Sequence, residues 1–333
     1  MQQEPRSIRW YRVPVDQHTM KALNERSDWK GALQLSGHLA LIGALGALAW
    51  RVRGDPLILV PVLFLYGTCY AFIMNATHEL SHRSVFRTRF LNELFLRLLS
   101  FFGWRSYVMF WTSHAEHHKY TLHQPDDLEV VLPANLTPTT FLKAAFVDVW
   151  GLFDTIRRTV ALSFGKVEGQ WEDYLVDAMA VERRRGLIRW ARLLLVGHAS
   201  IVAVSLYFGL WMIPVLTTFA IFYGQWLRFL CNQTQHAGLT DEVSDFRLCT
   251  RTVILSPLVR FLYWHMNFHI EHHMYPAVPC YNLGKLHAAI KHELPEGPRG
   301  LIAAWRQIIT TVNRQKVDPQ YHFVPNLPTP TQI

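Results

Sequence analysis

The sequence predicts an all-α integral membrane protein with about four transmembrane helices and a helical cap that carries a histidine-rich site. Three observations carry this reading. Half of the 333 residues are hydrophobic and only 17% are charged, against about a quarter in soluble domains, and so few charges cannot coat so much apolar mass. Several apolar runs have the roughly 20 residues that a bilayer-spanning helix needs. The 17 His residues are concentrated in clusters. The net charge of +8 suits a membrane surface or nucleic acid. The basic residues flank the apolar runs and form no separate patch, so no nucleic-acid partner is expected. Cys69, Cys231, Cys249 and Cys280 are far apart and form no CxxC, which argues against a zinc ribbon or a disulfide framework.

Residues 1–31 are polar, of mixed charge, and lack the apolar core of a signal peptide. The first expected spans are 32–50 and 57–77, joined by the hairpin-like Arg51–Pro56 (RVRGDP). The second pair is 190–208 and 210–230, joined around Gly209. Pro214 is expected only to kink its helix, which membrane helices tolerate. Between the pairs, Leu91–Thr112 carries Arg97 and Arg105, and Phe141–Phe164 carries Lys143, Arg157 and Arg158. Central Arg is costly in lipid, so both read as interfacial helices. From Asn232 onward the chain is polar, and 318–333 reads as a loose Pro-rich tail. The whole, 1–333, reads as one domain. Four spans return both termini and the central loop to one side. Six Lys/Arg in the first 31 residues, and Arg183, Arg184, Arg185 and Arg189 before the third span, make that side the cytoplasm by the positive-inside rule. Arg51 and Arg53 in the outer link run against that bias.

The histidines fall in three clusters: His78-Glu-Leu-Ser-His82, His114-Ala-Glu-His117-His118 and His269-Ile-Glu-His272-His273. On a helix, spacings of three and four place side chains on one face, close enough to share a metal. At this His content one HxxHH is expected by chance roughly 0.04 times, so two are not accidents. Neutral imidazole suits iron, copper, nickel or zinc. Eight ligands are too many for one ion and fit two. Metal-bound His donates its other N–H to a carboxylate or carbonyl. Asp126, Asp127 and Glu129 follow the second box and are placed for this role, and Glu79, Glu116 and Glu271 lie inside the boxes.

HELSH, HAEHH and HIEHH, in this order and interrupted by paired spans, resemble the membrane fatty acid desaturase superfamily. The stretch FHIEHHMYPAVPCYNLGKLH is similar to that family's third box and its trailing LxxLH. The resemblance runs from about the first span to His287. It implies two iron ions held on the cytosolic face, with His236 as a ninth ligand near the end of the fourth span. It also implies that Asn232, one turn earlier, holds a metal through water. His265 stands four residues before His269, where the family pattern leads one to expect a small polar residue. If the helix extends back that far, the two share a face, and His265 supports a ligand or carries a proton. His123 and His287 lie near the boxes but off their spacing. His38, His198 and His322 are expected to be structural.

The chemistry implied by the resemblance is O2-dependent oxidation of an unactivated C–H bond. It yields an alkene by desaturation or an alcohol by hydroxylation, with desaturation of an acyl lipid or fatty acid expected here. The bilayer and the acyl lipid are then partners. No haem-binding HPGG, Fe–S cysteine set or GxGxxG is present, so electrons are expected from a separate ferredoxin, rubredoxin or cytochrome b5. The aromatic-rich 101–111 segment offers a wall for an alkyl chain or an interfacial anchor. A non-enzymatic membrane metal-binding protein is the other class. A transport path would need ionisable residues in mid-span, and only His38 and His198 lie there.

Overall fold

A computed structural model describes residues 6–328. The first five residues of the N-terminal segment and the last five of the expected tail lie outside the described residues. Regular structure among the described residues is helical, with isolated bridges and no strands. After α1 (Gln17–Leu23), α2 (Asp28–Arg51) begins where the Ser27 hydroxyl accepts from Lys30 N. At 1.5 Å per residue its 24 residues reach about 36 Å. Its buried stripe, Gly31, Gln34, Leu35, His38 and Ile42, has helical spacing, while Leu33, Leu39 and Leu48 on other faces are exposed. A helix that leaves large apolar side chains uncovered fits a lipid surround.

Asp55 caps α3 (Pro56–Tyr70) through Leu57 N, with Pro56 in the first turn. After a short turn at 71–72 the chain continues as α4 (Ile73–Ser81). Pro56–Ser81 thus forms the second long apolar element, and Val181–Tyr207 (α10 below) the third. Among the described residues, three helices are long and apolar enough to cross a membrane. Both mid-span histidines are satisfied by protein groups. His38 bonds the Cys69 carbonyl (2.9 Å) and Trp264 Nε1–H (3.0 Å). His198 bonds Thr218 and the Phe101 carbonyl, and is stacked between Phe101 and Trp104. They form packing nodes rather than a path.

The central region contains α5 (Arg89–Phe102), α6 (Tyr107–Tyr120), α7 (Pro138–Ala145), α8 (Val149–Ser163) and α9 (Gln170–Asp177), leading into α10 (Val181–Tyr207). The segment read as one interfacial helix over 91–112 is divided between α5 and α6 at Gly103–Ser106. The second, 141–164, is divided between α7 and α8. It leaves Leu142, Phe146, Val149, Trp150 and Phe153 exposed, the signature of an interfacial element.

The fourth expected span is not a continuous helix. Residues 210–230 break into α11 (Met212–Leu216), a 3-10 turn at Ala220–Phe222, and the start of α12 (Trp226–Gln233). Pro214, the β-branched pair Thr217–Thr218 and Gly224 (φ +69°) interrupt it. The freed backbone groups find lateral partners between α7 and α8. Asp148 N donates to Phe222 O (2.7 Å), Gly224 N to Phe146 O (2.8 Å) and Gln225 N to Ala144 O (3.0 Å). Non-helical backbone at membrane depth persists only when neighbouring protein satisfies it in this way. Gly224 is required by packing as well: a Cβ there would sit 2.8 Å from Phe64 O and Thr68 N.

The remaining helices, α13 (Phe246–Cys249), α14 (Pro257–Leu262), α15 (His269–Met274), α16 (Leu283–Ile290) and α17 (Leu301–Gln315), gather at the box-bearing end. The N-terminal segment straps across them. Tyr11 N donates to Ser244 O (2.9 Å), Tyr275 Oη to Val13 O (2.6 Å) and Asn282 Nδ2 to Leu23 O (2.9 Å). The described part of the tail is also engaged, with Phe323 N donating to Gly238 O (2.8 Å).

Candidate metal centre

Each box sits at a helix end pointing inward. His78 lies in the last turn of α4 and His82 is its C-cap. His114, His117 and His118 occupy the C-terminal half of α6, whose start is fixed by the Ser106 hydroxyl accepting from Met109 N. His269, His272 and His273 make up half of the six-residue α15. His236 follows α12 by three residues. All nine imidazoles converge. The ligand atoms of His78, His82, His114, His118 and His272 lie within 4.8 Å of one another, as do those of His117, His236 and His273. His269 joins the second set, its Nε2 being 3.0 Å from His236 Nε2 and 3.1 Å from His273 Nε2.

The spacing fits metal coordination. In the first set, Nε2 of His114 is 3.2 Å from that of His82 and 3.0 Å from that of His118, which is 3.1 Å from His272 Nε2. Two nitrogens on adjacent corners of a shell of about 2.1 Å radius are about 3 Å apart. His78 Nε2 is buried with no protein partner, a cost that a metal bond removes. Apart from His117, burial favours the neutral form of these imidazoles, the form that can bind a metal. Burial pushes His82 down to about 4. Burial and the neighbouring His117 push His236 down to about 3. Burial, then adjacent imidazoles, drives His114, His118, His269, His272 and His273 well below the usual range.

The outward Nδ1 atoms show how the rings are aimed. His78 donates to Glu79 (3.0 Å), His114 to Glu129 (2.9 Å), His117 to Asp127 (2.8 Å) and His236 to the Cys249 carbonyl (2.9 Å). These acceptors fix Nδ1–H as the donor and leave Nε2 free for a metal. The Thr121 hydroxyl donates to His117 O (2.6 Å), so it accepts from His273 Nδ1–H (3.2 Å). Asp127 is fully buried and saturated: Oδ2 takes His117 and Leu122 N (2.8 Å each), and Oδ1 takes Glu129 N (2.9 Å). His117 is the one box histidine raised above the usual range; burial pushes it down, but the Asp127 carboxylate outweighs that.

Other expected supporting residues fall elsewhere. Asp126 is half-buried and outside this hydrogen-bond set. Glu271 is fully buried, yet its oxygens are taken by the His287 ring and the Thr252 hydroxyl, not by a box ring. The expected one-turn relation between His265 and His269 does not exist. α14 ends at Leu262, Trp264 and His265 have φ of +53° and +59°, and α15 starts only at His269. The left-handed pair reverses the chain, and His265 N closes the turn on Arg260 O (2.9 Å). His265 stands outside both metal-binding sets. His123 likewise turns inward on the Tyr120 carbonyl (2.7 Å). Asn232 Oδ1 accepts from Asn75 Nδ2 (3.3 Å). Thr121 and the Cys249 carbonyl were not anticipated; nothing local marks a backbone carbonyl 13 residues from its histidine.

The profile of the fatty acid desaturase family matches residues 55–305, from the cap of α3 into α17, and so covers every box. The chain belongs to the fatty acid desaturase family. Among curated relatives, it is 25% identical over 293 residues to an sn-1 oleoyl-lipid 12-desaturase of a Picosynechococcus species, covering 78% of this chain and 76% of that one. It is 24% identical over 228 residues to a zeaxanthin 4-ketolase of Chlamydomonas reinhardtii, covering 67% of this chain and 43% of that one. A lipid desaturase and a zeaxanthin ketolase thus stand at similar identity to this chain.

Proposed function

We propose that this protein is a membrane-bound oxidoreductase that uses two irons, O2 and two external electrons to desaturate an acyl chain of a lipid or fatty acid. The observation that carries the reading is the convergence of nine imidazoles into two adjoining sets. In this reading His78, His82, His114, His118 and His272 hold one ion, and His117, His236, His269 and His273 hold the other. Iron so held supplies O2 activation and hydrogen removal from an unactivated C–H bond. The chain's own residues do the rest. Glu79, Glu129 and Asp127 hold the rings in one tautomer and orientation. Asn232 contributes through water. The three long helices and the exposed apolar faces of α7 and α8 support a site beside lipid. Histidine boxes and both termini lie on the cytoplasmic side, where a separate ferredoxin, rubredoxin or cytochrome b5 delivers electrons.

Hydroxylation is the second reading, and the ketolase relative favours keeping it. Both readings are tested together. Purified protein is assayed for iron per chain and for substrate-dependent O2 consumption with a ferredoxin system, and products are identified by mass spectrometry. About two irons per chain and products lighter by two hydrogens support desaturation. Products heavier by one oxygen move the assignment to hydroxylation, and a protein without iron overturns the oxidoreductase.

A further inference from the structure

A cavity of about 300 Å³ opens beside the first box helix, lined by Met74 of α4, Trp104 and Arg105 of the α5–α6 turn, Asp148 at the start of α8, and Gln225 and Arg228 of the broken fourth segment. Arg105 is anchored from below, its Nη1 donating to Met74 O (3.2 Å) and Thr77 Oγ1 (3.1 Å). Its guanidinium lies 4.0 Å from the centroid of Phe110. The Phe110 ring stacks on His114, 5.2 Å between centroids, and lies 6.1 Å from the ring of His78. One aromatic ring thus separates Arg105 from two metal-binding histidines. Arg228 is less satisfied still: its Nε is buried without a hydrogen-bond partner.

Neither guanidinium is in an ion pair among the described residues. Asp148 spends Oδ1 on capping Gly151 N (2.8 Å), and Glu129 is committed to Ser113 and His114. The Asp148 carboxylate lines the same cavity, so the two guanidiniums leave one positive charge unbalanced there, which burial penalises. Arg228 in addition keeps a buried Nε–H without an acceptor, which is costly. An oxyanion offsets both costs, and a guanidinium fork matches carboxylate and phosphate geometry.

We propose that the Arg105–Arg228 cavity binds the anionic oxygen head of an amphiphile, a carboxylate or a phosphate ester, and holds it one aromatic ring from the metal centre. The inference rests on the functional reading only in naming that amphiphile as substrate. Met74 and His78 are one turn apart on α4, a rise of about 6 Å. A head bound here therefore presents carbons close to itself to the metals, and an acid is preferred over a neutral lipid of the same chain.

The test measures binding to iron-loaded protein in neutral detergent. The probes are dodecanoate, methyl dodecanoate and dodecyl phosphate. The expected result is that dodecanoate or dodecyl phosphate binds at least tenfold tighter than the methyl ester, and the tighter of the two anions identifies the head. Arg228→Gln should lower anion affinity to that of the ester with iron content unchanged, while Arg228→Lys should keep most of the preference. Equal affinity of wild-type protein for acid and ester overturns the proposal, as does an Arg228→Gln variant that retains the preference. If Arg228→Gln does not fold, Arg228→Lys decides: retained preference supports the proposal, and its loss overturns it. A protein that shows the anion preference yet holds no iron sinks the oxidoreductase reading and leaves this site standing.

Discussion

Replacing Asp127 by Asn tests whether the carboxylate behind His117 is part of the metal centre or mere packing. The substitution preserves size but removes the charge and one acceptor oxygen. Asp127 accepts three hydrogen bonds in a fully buried position: from His117 Nδ1 and Leu122 N at 2.8 Å and from Glu129 N at 2.9 Å. An amide can accept on one oxygen only. Either His117 and Leu122 N together, or Glu129 N alone, then face an NH2, and a buried donor is left unsatisfied. Each unsatisfied group costs about 1–3 kcal/mol, so unfolding free energy should fall by roughly 2–4 kcal/mol. In both orientations His117 loses the carboxylate charge behind its Nδ1–H, and in the first it loses the acceptor as well, so its Nε2 is less firmly reserved for metal. Losses of such supporting bonds cost about 10–100-fold in metal affinity or activity. The expected outcome is preferential loss of the ion held by His117, His236, His269 and His273, with the other retained. Metal analysis by mass spectrometry after dialysis against a weak chelator reads this directly, with thermal unfolding alongside. Asp126→Asn is the control, since Asp126 is half-buried and outside the bonded set. An Asp127→Asn protein with full iron and wild-type turnover refutes the argument, and so does an equal effect at Asp126.

His117→Ala and His272→Ala should each lose iron and turnover, and each should first empty its own set, whereas His322→Ala, whose ring bonds only Gln320 O (3.1 Å), should do neither; a fully active variant at 117 or 272 removes the two-metal assignment. His265→Asn should retain both irons and nearly all turnover, because His265 is outside the cluster and Asn tolerates its left-handed φ of +59°; a loss of one iron per chain reinstates it as a ligand. Cysteines placed near Gly54 and near Pro125 should label from opposite faces of sealed vesicles, and same-side labelling would separate the α2–α3 link from the topology proposed here. Gly224→Ala should lower stability by more than about 1 kcal/mol, since alanine is strained at φ +69° and its Cβ would lie 2.8 Å from the backbone of Phe64 and Thr68; an unchanged melting temperature would show that the fourth segment yields there.

What could be read from the sequence tracks how local each feature is. The boxes were legible because HxxxH and HxxHH encode their geometry within one helical turn, and α4, α6 and α15 supply that turn. Asp127 was legible as well, since it lies ten residues from His117 on the loop that leaves the box. Glu79 is harder. Its position inside the box suggested another helical face, yet it bonds the ring of its own neighbour, because His78 turns Nδ1 back along α4. Glu271 looks equivalent in sequence, but Thr252 and His287 reach it first. The competing partners come from 19 and 16 residues away, beyond any local window.

The two misread elements share one physical cause. The 210–230 run is as hydrophobic as the others, and hydropathy scores residues without asking where their backbone groups bond. Pro214 and Gly224 were visible, but a breaker in lipid is tolerated or decisive according to whether neighbours can take the freed N–H and C=O groups. Here residues 144–148 take them, a contact that no pattern within the run announces. His265 failed in the same way. Four-residue spacing to His269 implies a shared face only if the helix is continuous, and the reversal at Trp264–His265 depends on Trp264 being fully buried with its indole N–H on His38, 226 residues earlier in the chain. The broken segment is also where Arg228 stands. A continuous fourth helix would have made that arginine one charge near the end of a span. The break instead turns it, with Gln225, into the wall of a cavity beside α4, so the proposed anion site depends on the departure from helical regularity.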